Sequence, residues 1–205
     1  MMHPLKRLMD ITGAGLALAI TSPLLIGAAT AIRISMGSPV FFRQLRPGLN
    51  NEPFELVKFR TMRIPKPGED ALRTDAQRLT RVGSFLRSTS IDELPAFWNV
   101  LRGEMSLVGP RPLLMEYLDR YTSEQARRHH VKPGITGWTA VNGRNTLSWE
   151  QKFALDLWYV DNQSMALDVK ILAMTAWKVL AREGISHAGQ ATMGEFLGKQ
   201  EPSGA

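Results

Sequence analysis

An uncharged segment from Ile11 to Ile32 constrains the fold of this chain more than any other feature. As a straight helix, its 22 residues would extend about 33 Å at ~1.5 Å per residue, enough to cross a hydrocarbon core of ~30 Å. Its centre, however, holds Ser22-Pro23. Proline inside a helix removes one backbone hydrogen bond, and a serine hydroxyl can satisfy the carbonyl that is left over. The segment therefore predicts a membrane helix broken at Ser22-Pro23.

Basic residues lie on both flanks of this segment, and they predict its topology. Lys6 and Arg7 precede it, and Arg33, Arg43 and Arg46 follow it. Because positive charge favours the cytoplasmic side, both ends favour the same side, and we expect a re-entrant hairpin. Two alternatives stay open: a single straight crossing, and a cleaved signal peptide with small residues at positions 28–31.

The length and charge of the chain limit the fold and the partners of the part after the hairpin. With 205 residues and 44% hydrophobic content, the chain can bury one core. We expect an α+β, mostly helical fold: a re-entrant membrane anchor at 1–36, then one globular domain at 37–205 made of a small β-hairpin and amphipathic interfacial helices. The net charge of +6 favours a partner that carries phosphate, which includes nucleotides, nucleic acids and anionic lipids.

A β-hairpin is predicted directly after the anchor. Residues 39–44 and 54–59 are short β-prone runs, and Pro-Gly and Asn-Asn pairs between them signal a turn. Basic residues cluster where the second run ends: Lys58, Arg60 and Arg63. Two interpretations of this cluster have equal weight, a solvated edge that meets anionic headgroups and a site for a substrate phosphate.

Two adjacent carboxylates, Asp92 and Glu93, are the candidate reactive centre. Ser90 as N-cap would place Pro95 at the fifth helical position, where an amide is needed, so Asp92 is the better predicted N-cap of a helix that ends at Gly103. Backbone amides and the helix dipole favour anions at such a position. Ordinary helix capping is the alternative interpretation of the pair.

Arginines in stiff, turn-rich settings strengthen the functional interpretation. Arg87 precedes the carboxylates, and Arg111 and Arg144 lie in Pro110-Arg111-Pro112 and Asn142-Gly143-Arg144. Guanidinium groups suit bidentate contacts to phosphate. A carboxylate could then attack phosphorus, provided that its repulsion from the negatively charged phosphate is offset. Two like unit charges 4 Å apart repel each other by about 4 kcal/mol near a protein surface. This requirement predicts Mg²⁺ beside the arginines.

Several motifs in sequence order resemble the bacterial sugar transferase family, the monotopic phosphoglycosyl transferases. They occupy residues 87–95, 98–103, 106–112, 132–137 and 141–144, within a resemblance that extends from Lys6 to about Phe196. Larger members carry extra membrane helices before this unit, so we expect the minimal form. The resemblance implies an enzyme of the bacterial inner membrane, monotopic, with its catalytic domain on the cytoplasmic face.

The resemblance also implies the chemistry. The enzyme would move a sugar-1-phosphate from a UDP-sugar to undecaprenyl phosphate and release UMP, which initiates glycoconjugate assembly for protein glycosylation or polysaccharide biosynthesis. Asp92 matches the nucleophile that forms a covalent phosphosugar intermediate and the residue that contacts Mg²⁺. Glu93 matches the second catalytic residue, which orients or deprotonates the acceptor phosphate. The implied substrate-binding residues are Lys58, Arg60, Arg87, Pro110, Arg111, Pro112 and Arg144.

The expected partners are the UDP-sugar, undecaprenyl phosphate, membrane lipids and downstream glycosyltransferases, with no nucleic acid. Residues 184–193 resemble the tail of bacillosamine-type enzymes, so UDP-N,N′-diacetylbacillosamine is the predicted donor. UDP-galactose, UDP-glucose and UDP-N-acetylated sugars are the alternatives. Two other classes stay open: a Mg²⁺-dependent nucleotide-sugar hydrolase, and a non-enzymatic basic membrane adaptor.

Three helices are predicted in the second half of the chain, at Leu113–His130, from Trp149, and from about Met165 to Glu183. Core packing and contact with the membrane interface are both open for their apolar faces. The histidines at 129 and 130 need no role beyond a basic helix end. We interpret the aspartates at 156, 161 and 168 as caps or ion-pair partners.

Overall fold

The computed structural model describes residues 4–66, 68–69, 75–143, 147–181 and 195–198. Mostly short helices surround two small sheets, and one long helix precedes them. The elements in chain order are α1 Pro4–Met36, β1 Phe41–Pro47, a 3-10 helix Leu49–Asn51, β2 Pro53–Phe59, α2 Asp75–Arg78, α3 Arg81–Ser88, a 3-10 helix Ile91–Ala96, α4 Phe97–Arg102, β3 Ser106–Val108, a 3-10 helix Met115–Arg120, α5 Ser123–Ala126, a 3-10 helix Arg127–His130, β4 Gly134–Thr136, α6 Trp138–Val141, α7 Trp149–Asn162 and α8 Met165–Leu180. The mostly helical α+β class is thus confirmed.

Helix α1 contains the apolar segment and is long and apolar enough to cross a membrane. It is helical on both sides of Pro23, so the predicted re-entrant hairpin is not confirmed. The predicted compensation at the proline is confirmed, because Ser22 Oγ donates to the carbonyl of Ala19 at 2.8 Å. That carbonyl lies four residues before Pro23, which has no amide to offer it.

The beginning of α1 is buried in the globular part of the chain. Lys6 Nζ donates to Asp168 Oδ2 of α8 at 2.5 Å and to the carbonyl of Val108 at 3.3 Å. The fully buried Asp10 carboxylate accepts the amide of Leu107 at 2.9 Å. The contacts of Lys6 and Asp10 with Val108 and Leu107 therefore hold α1 against β3. Strand β3 leads directly to the Pro110-Arg111-Pro112 turn.

The end of α1 packs against a second part of the same core. Ala28 and Ile32 are buried together with Phe59, Leu86 and Ile91. Between the two buried ends, none of residues 15–27 is buried. This stretch spans about 20 Å at ~1.5 Å per residue. The middle of α1 is therefore less buried than its two ends, although Leu25 still packs partly against the second cluster.

The predicted β-hairpin is confirmed. Strands β1 and β2 are antiparallel, and the register pairs Phe42 with Lys58 and Arg43 with Val57. Because neighbouring residues of a strand face opposite sides, Phe42, Gln44 and Arg46 share the face that carries Lys58. Strands β3 and β4 pair in parallel and lie at the centre of the main core, beside α1, α4 and α8.

The predicted N-cap at Asp92 is wrong. Ser90 takes a left-handed conformation with φ of 56°, and a 3-10 helix follows it from Ile91 to Ala96. Pro95 lies near the end of this tighter helix, and α4 begins only at Phe97, so the missing amide falls at the junction of the two helices. The predicted end at Gly103 is confirmed, with φ of 84°.

The single helix predicted at Leu113–His130 is also wrong, because three short helices replace it. Thr122 accepts the amide of Gln125, and the Gln125 side chain accepts the amide of Thr122, which makes a capping box that starts a new helix. The helices predicted from Trp149 and Met165 are confirmed as α7 and α8.

Candidate active site

One large cleft, with a volume of about 1530 Å³, contains the predicted carboxylate pair. Five of the predicted residues that line it come from four places: Lys58 from β2, Arg87 from α3, Asp92 and Glu93 from the 3-10 helix after Ser90, and Arg111 from the turn after β3. The fold therefore brings together residues up to 53 positions apart, counted from Lys58 to Arg111.

Glu93 is held by two cations. Its Oε1 accepts from Lys58 Nζ at 2.8 Å and from Arg111 Nη2 at 2.6 Å. Burial opposes ionisation, but the charges of Arg111 and Lys58 prevail and hold the pKa of Glu93 well below its usual range. Glu93 in turn raises the pKa of Arg111. Glu93 is therefore an ionised acceptor that fixes two cationic side chains.

Asp92 is in a different state from its neighbour. It has no hydrogen bond or ion pair with any residue that the structure describes, and its side chain is partly exposed in the cleft. Burial and the charge of Glu93 raise its pKa, while Lys58, Arg87 and Arg111 act in the opposite direction. The carboxylate thus lies within the field of three cations without being bound by one of them. Of the two carboxylates, it is the one that no other described side chain binds.

Arg87 is directed by the packing of α3 against the end of β2. Its Nε donates to Thr61 Oγ1 at 3.0 Å, and the side chain of Thr80 caps α3 by accepting the amide of Gly83. Gly83 lies so close to this segment that a Cβ there would be 1.8 Å from the carbonyl oxygen of Thr61. Glycine at this position therefore allows the approach that places Arg87 in the cleft.

The Pro110-Arg111-Pro112 turn is rigid because its backbone is bound from behind. Both prolines are buried, whereas the Arg111 side chain is exposed to the cleft. Arg128 Nη2 donates to the Arg111 carbonyl at 2.8 Å and to Asp156 Oδ2 at 2.6 Å. This buried ion pair fixes the backbone that carries Arg111.

One predicted substrate-binding residue, Arg60, is placed differently from the others, and a second, Arg144, cannot be compared with them. The guanidinium of Arg60, which also lines the cleft, donates to the carbonyls of Met36 and Gly37 at 2.7 and 2.8 Å. It therefore satisfies carbonyls at the end of α1, and its contact with substrate stays a prediction. Arg144 lies outside the described residues, as do residues 184–193, on which the sugar prediction depends.

The described residues contain no group of three or more His, Cys, Asp or Glu side chains that could hold a metal ion. The carboxylate of Asp92 nevertheless fits Mg²⁺, because this ion is usually bound through one or two carboxylates, with substrate phosphates and water as the other ligands. The residues present therefore fit a Mg²⁺ ion that takes one ligand from Asp92 and its other ligands from a bound phosphate and water, and this site stays a prediction.

Sequence reasoning missed three cleft residues. Arg46 was interpreted only as a flank of the membrane segment, and Arg128 and Lys152 had no predicted role. Asp156 was interpreted as an ion-pair partner, which is confirmed by Arg128, as are Asp161 with Arg127 and Asp168 with Lys6. No local pattern signals these residues, because their partners lie on other elements.

His129 lies in the last turn of the basic 3-10 helix Arg127–His130, so the predicted basic helix end is confirmed. The side chain is buried, however, and its Nε2 has no hydrogen-bond partner among the described residues. Burial and the charge of Arg128 lower its pKa to about 4. The imidazole is thus neutral at physiological pH, and it contacts the ring of Tyr121 behind the Pro110-Arg111-Pro112 turn.

Comparison with known proteins identifies the family of this chain. The uncharacterized sugar transferase EpsL of Bacillus subtilis is 54% identical over 199 residues, which are 97% of this chain and 98% of that protein. The UDP-glucose:undecaprenyl-phosphate glucose-1-phosphate transferases of Klebsiella pneumoniae and Caulobacter vibrioides are 42% and 40% identical, over 84% and 87% of this chain. The chain spans 39% of the Klebsiella protein and 70% of the Caulobacter protein. The family model described as bacterial sugar transferase matches residues 1–182, so this chain belongs to the bacterial sugar transferase family.

Proposed function

We propose that this protein transfers a sugar-1-phosphate from a UDP-sugar to undecaprenyl phosphate and releases UMP. The names of the Klebsiella and Caulobacter relatives support the reaction class. The observation that carries the proposal is the difference between the two carboxylates in the cleft. Glu93 is bound by Lys58 and Arg111, while the adjacent Asp92 is an unbound carboxylate close to three cations. Such a site suits attack on a phosphate whose negative charge the cations offset.

In the first step, an Asp92 carboxylate oxygen forms a bond to the β-phosphorus of the UDP-sugar. The bond from that phosphorus to the bridging oxygen breaks, and UMP leaves with the electron pair. Lys58, Arg87 and Arg111 bind the phosphate oxygens and offset their charge, a role that suits preorganised cations in a partly enclosed cleft. The product is a phosphosugar covalently attached to Asp92.

In the second step, an oxygen of undecaprenyl phosphate attacks the same phosphorus. The bond to Asp92 breaks, the carboxylate is restored, and an undecaprenyl diphosphate sugar is formed. Mg²⁺ bound at Asp92 would add Lewis-acid stabilisation of the phosphate charge. All atoms are accounted for by the two substrates and the aspartate.

Glu93 acts by position in this scheme. A base whose pKa lies far below neutral accepts a proton poorly, and the pKa of Glu93 is strongly lowered by Arg111 and Lys58. Its two contacts instead set where these cations point. We therefore propose that Glu93 orients the phosphate-binding side chains rather than deprotonating the acceptor.

The sugar is open between the predicted donor and the donors that relatives use. Relatives named UDP-glucose:undecaprenyl-phosphate glucose-1-phosphate transferase favour UDP-glucose. A relative in Erwinia amylovora is named UDP-galactose-lipid carrier transferase. We propose UDP-glucose as the first donor to test, with UDP-galactose and UDP-N,N′-diacetylbacillosamine beside it.

We further propose that α1 enters and leaves one face of the bacterial inner membrane, with the catalytic domain on the cytoplasmic side. Lys6 and Ile32, near its two ends, are both buried against the same domain, while apolar residues such as Ile20 and Leu24 between them are exposed. A domain that contacts both ends cannot lie on both sides of a membrane, which disfavours a straight crossing.

Cysteine labelling tests this topology, and the chain has no cysteine of its own. Pro4→Cys and Ser35→Cys change exposed residues near the two ends of α1. An impermeant thiol reagent should label both variants in inverted inner-membrane vesicles and neither in intact spheroplasts. Labelling from opposite sides would replace the re-entrant arrangement with a span.

The reaction itself is tested with purified protein, Mg²⁺, undecaprenyl phosphate and each UDP-sugar, by following UMP and the lipid product. We expect UMP in an amount limited by the enzyme when the lipid is omitted, and continuous turnover when it is added. Continuous UMP release without the lipid would identify a hydrolase. No UMP with any donor, together with unchanged membrane binding by Asp92→Asn, would favour the adaptor.

A further inference from the structure

Arg46 is a cation in the cleft for which the described residues offer no carboxylate. Its Nη2 donates to the side-chain oxygen of Gln44 at 2.6 Å, and its Nη1 makes only a long contact of 3.5 Å to the carbonyl of Pro112. The buried Nε has no acceptor among the described residues. Burial, followed by the charge of Arg111, lowers its pKa to about 10. A partly buried guanidinium in this state favours an anionic ligand.

The surroundings of Arg46 indicate what kind of anion fits. Arg111 acts electrostatically on Arg46 and also on Lys152 of α7, and both residues line the same cleft. Arg111 also binds Glu93 and acts electrostatically on Asp92. Arg111 thus lies close both to the carboxylate pair and to a second group of cations, Arg46 and Lys152. A guanidinium in such a position can contact two adjacent phosphates at once.

We propose that Arg46 and Lys152, together with the shared Arg111, form the subsite for the α-phosphate of the UDP-sugar, the group that leaves with UMP. Lys58 and Arg87 then serve the β-phosphate at Asp92. This inference rests on the proposed function, and it assigns separate cations to the leaving and the transferred phosphate. Stabilising charge on the leaving phosphate favours cleavage of the diphosphate bond.

The ratio of the inhibition constants of uridine and UMP tests this subsite, because the two inhibitors differ only by the phosphate. In the wild type, added UMP should inhibit formation of the lipid product from the UDP-sugar much more strongly than added uridine does. Arg46→Gln should weaken UMP by about tenfold or more, since charge-assisted hydrogen bonds are the strong ones, and leave uridine nearly unchanged. A general distortion of the cleft would weaken both inhibitors alike.

Arg43→Gln is the matched control, because Arg43 borders the same cleft but faces the opposite side of β1 from Arg46 and pairs with the exposed Glu55. It should leave the ratio unchanged. If Arg46→Gln does not fold, Arg46→Lys keeps the charge but loses the planar donors, and a smaller fall in the same ratio is expected. An unchanged ratio in the folded variant would overturn the subsite.

The Michaelis constant for undecaprenyl phosphate separates the α-phosphate from the acceptor phosphate as the occupant. It should not change in Arg46→Gln. A rise of about tenfold there, with UMP inhibition intact, would assign Arg46 to the acceptor and overturn the proposal. A wild type that releases no UMP from any donor would instead refute the proposed function, so the two failures are distinguishable.

Discussion

Glu93→Gln tests the central division of labour in the cleft. The substitution keeps the size of the side chain but removes its negative charge. In the wild type, Glu93 Oε1 lies 2.8 Å from Lys58 Nζ and 2.6 Å from Arg111 Nη2. Hydrogen bonds to charged groups contribute about 1.5–3 kcal/mol when well shielded, but the Arg111 side chain is 59% exposed, so we take about 1 kcal/mol for each contact. Together they give about 2 kcal/mol, or about a 30-fold loss in kcat/KM.

The pH profile gives a second, independent readout for this variant. The charge of Glu93 raises the pKa of Asp92, so its removal should move the acidic limb of kcat/KM to lower pH. The same charge raises the pKa of Lys58 against burial and Arg111, so the alkaline limb should also move to lower pH. The whole active range is therefore expected to shift in the acidic direction.

Rapid-mixing measurement of UMP release without lipid acceptor, followed by turnover with acceptor, is the assay. Glu93→Gln should still form the covalent phosphosugar in full amount, only more slowly. Glu55→Gln removes the solvent-exposed pair with Arg43 and should change the rate less than about twofold. A variant that forms no phosphosugar at all, as expected for Asp92→Asn, would mean that Glu93 takes part in bond making.

Two further predictions concern stability. The pKa of Asp92 is higher in the folded protein than the unfolded value of 3.8, so ionised Asp92 lowers native stability at neutral pH, and this cost disappears below pH 3.8. Asp92→Asn should therefore melt at a higher temperature than the wild type at pH 7. The difference between the two melting temperatures should close towards pH 4. Gly83→Ala should lower stability by at least about 1–3 kcal/mol in chemical denaturation and displace Arg87, since its Cβ would meet the Thr61 carbonyl. Gly15→Ala, which has open space around it, should not destabilise the protein.

The features that the sequence predicts well are those encoded by neighbouring residues. Alternating β-prone runs around a Pro-Gly turn predict β1 and β2, and Gly103 predicts the end of α4. The adjacency of Asp92 and Glu93 to arginines predicts where the cleft is. Each of these signals comes from residues within about twenty positions of one another, where local backbone preferences decide much of the structure.

The features that the sequence does not predict depend on contacts between distant elements. Asp92 and Glu93 are in different states because Lys58 and Arg111 both bind Glu93. No local sequence pattern indicates which of the two carboxylates these cations contact. The unmatched charge of Arg46 likewise appears only when β1 is placed beside the turn that contains Arg111. The periodic apolar pattern over 113–130 misleads, because the local capping box at Thr122 prevails over it.

Helix α1 supports the active site as well as the membrane contact, and its removal tests this. Its beginning holds β3 through Lys6 and Asp10, and β3 leads to Arg111. Its end packs beside Ile91, the neighbour of Asp92. Deletion of residues 1–36 would leave the buried Asp168 without Lys6, at a cost of about 3–5 kcal/mol, and expose the apolar surface beneath Ile32. We expect the truncated chain to lose cooperative unfolding and UMP release even in detergent. A soluble, folded fragment that still forms the phosphosugar would show that the cleft does not depend on α1.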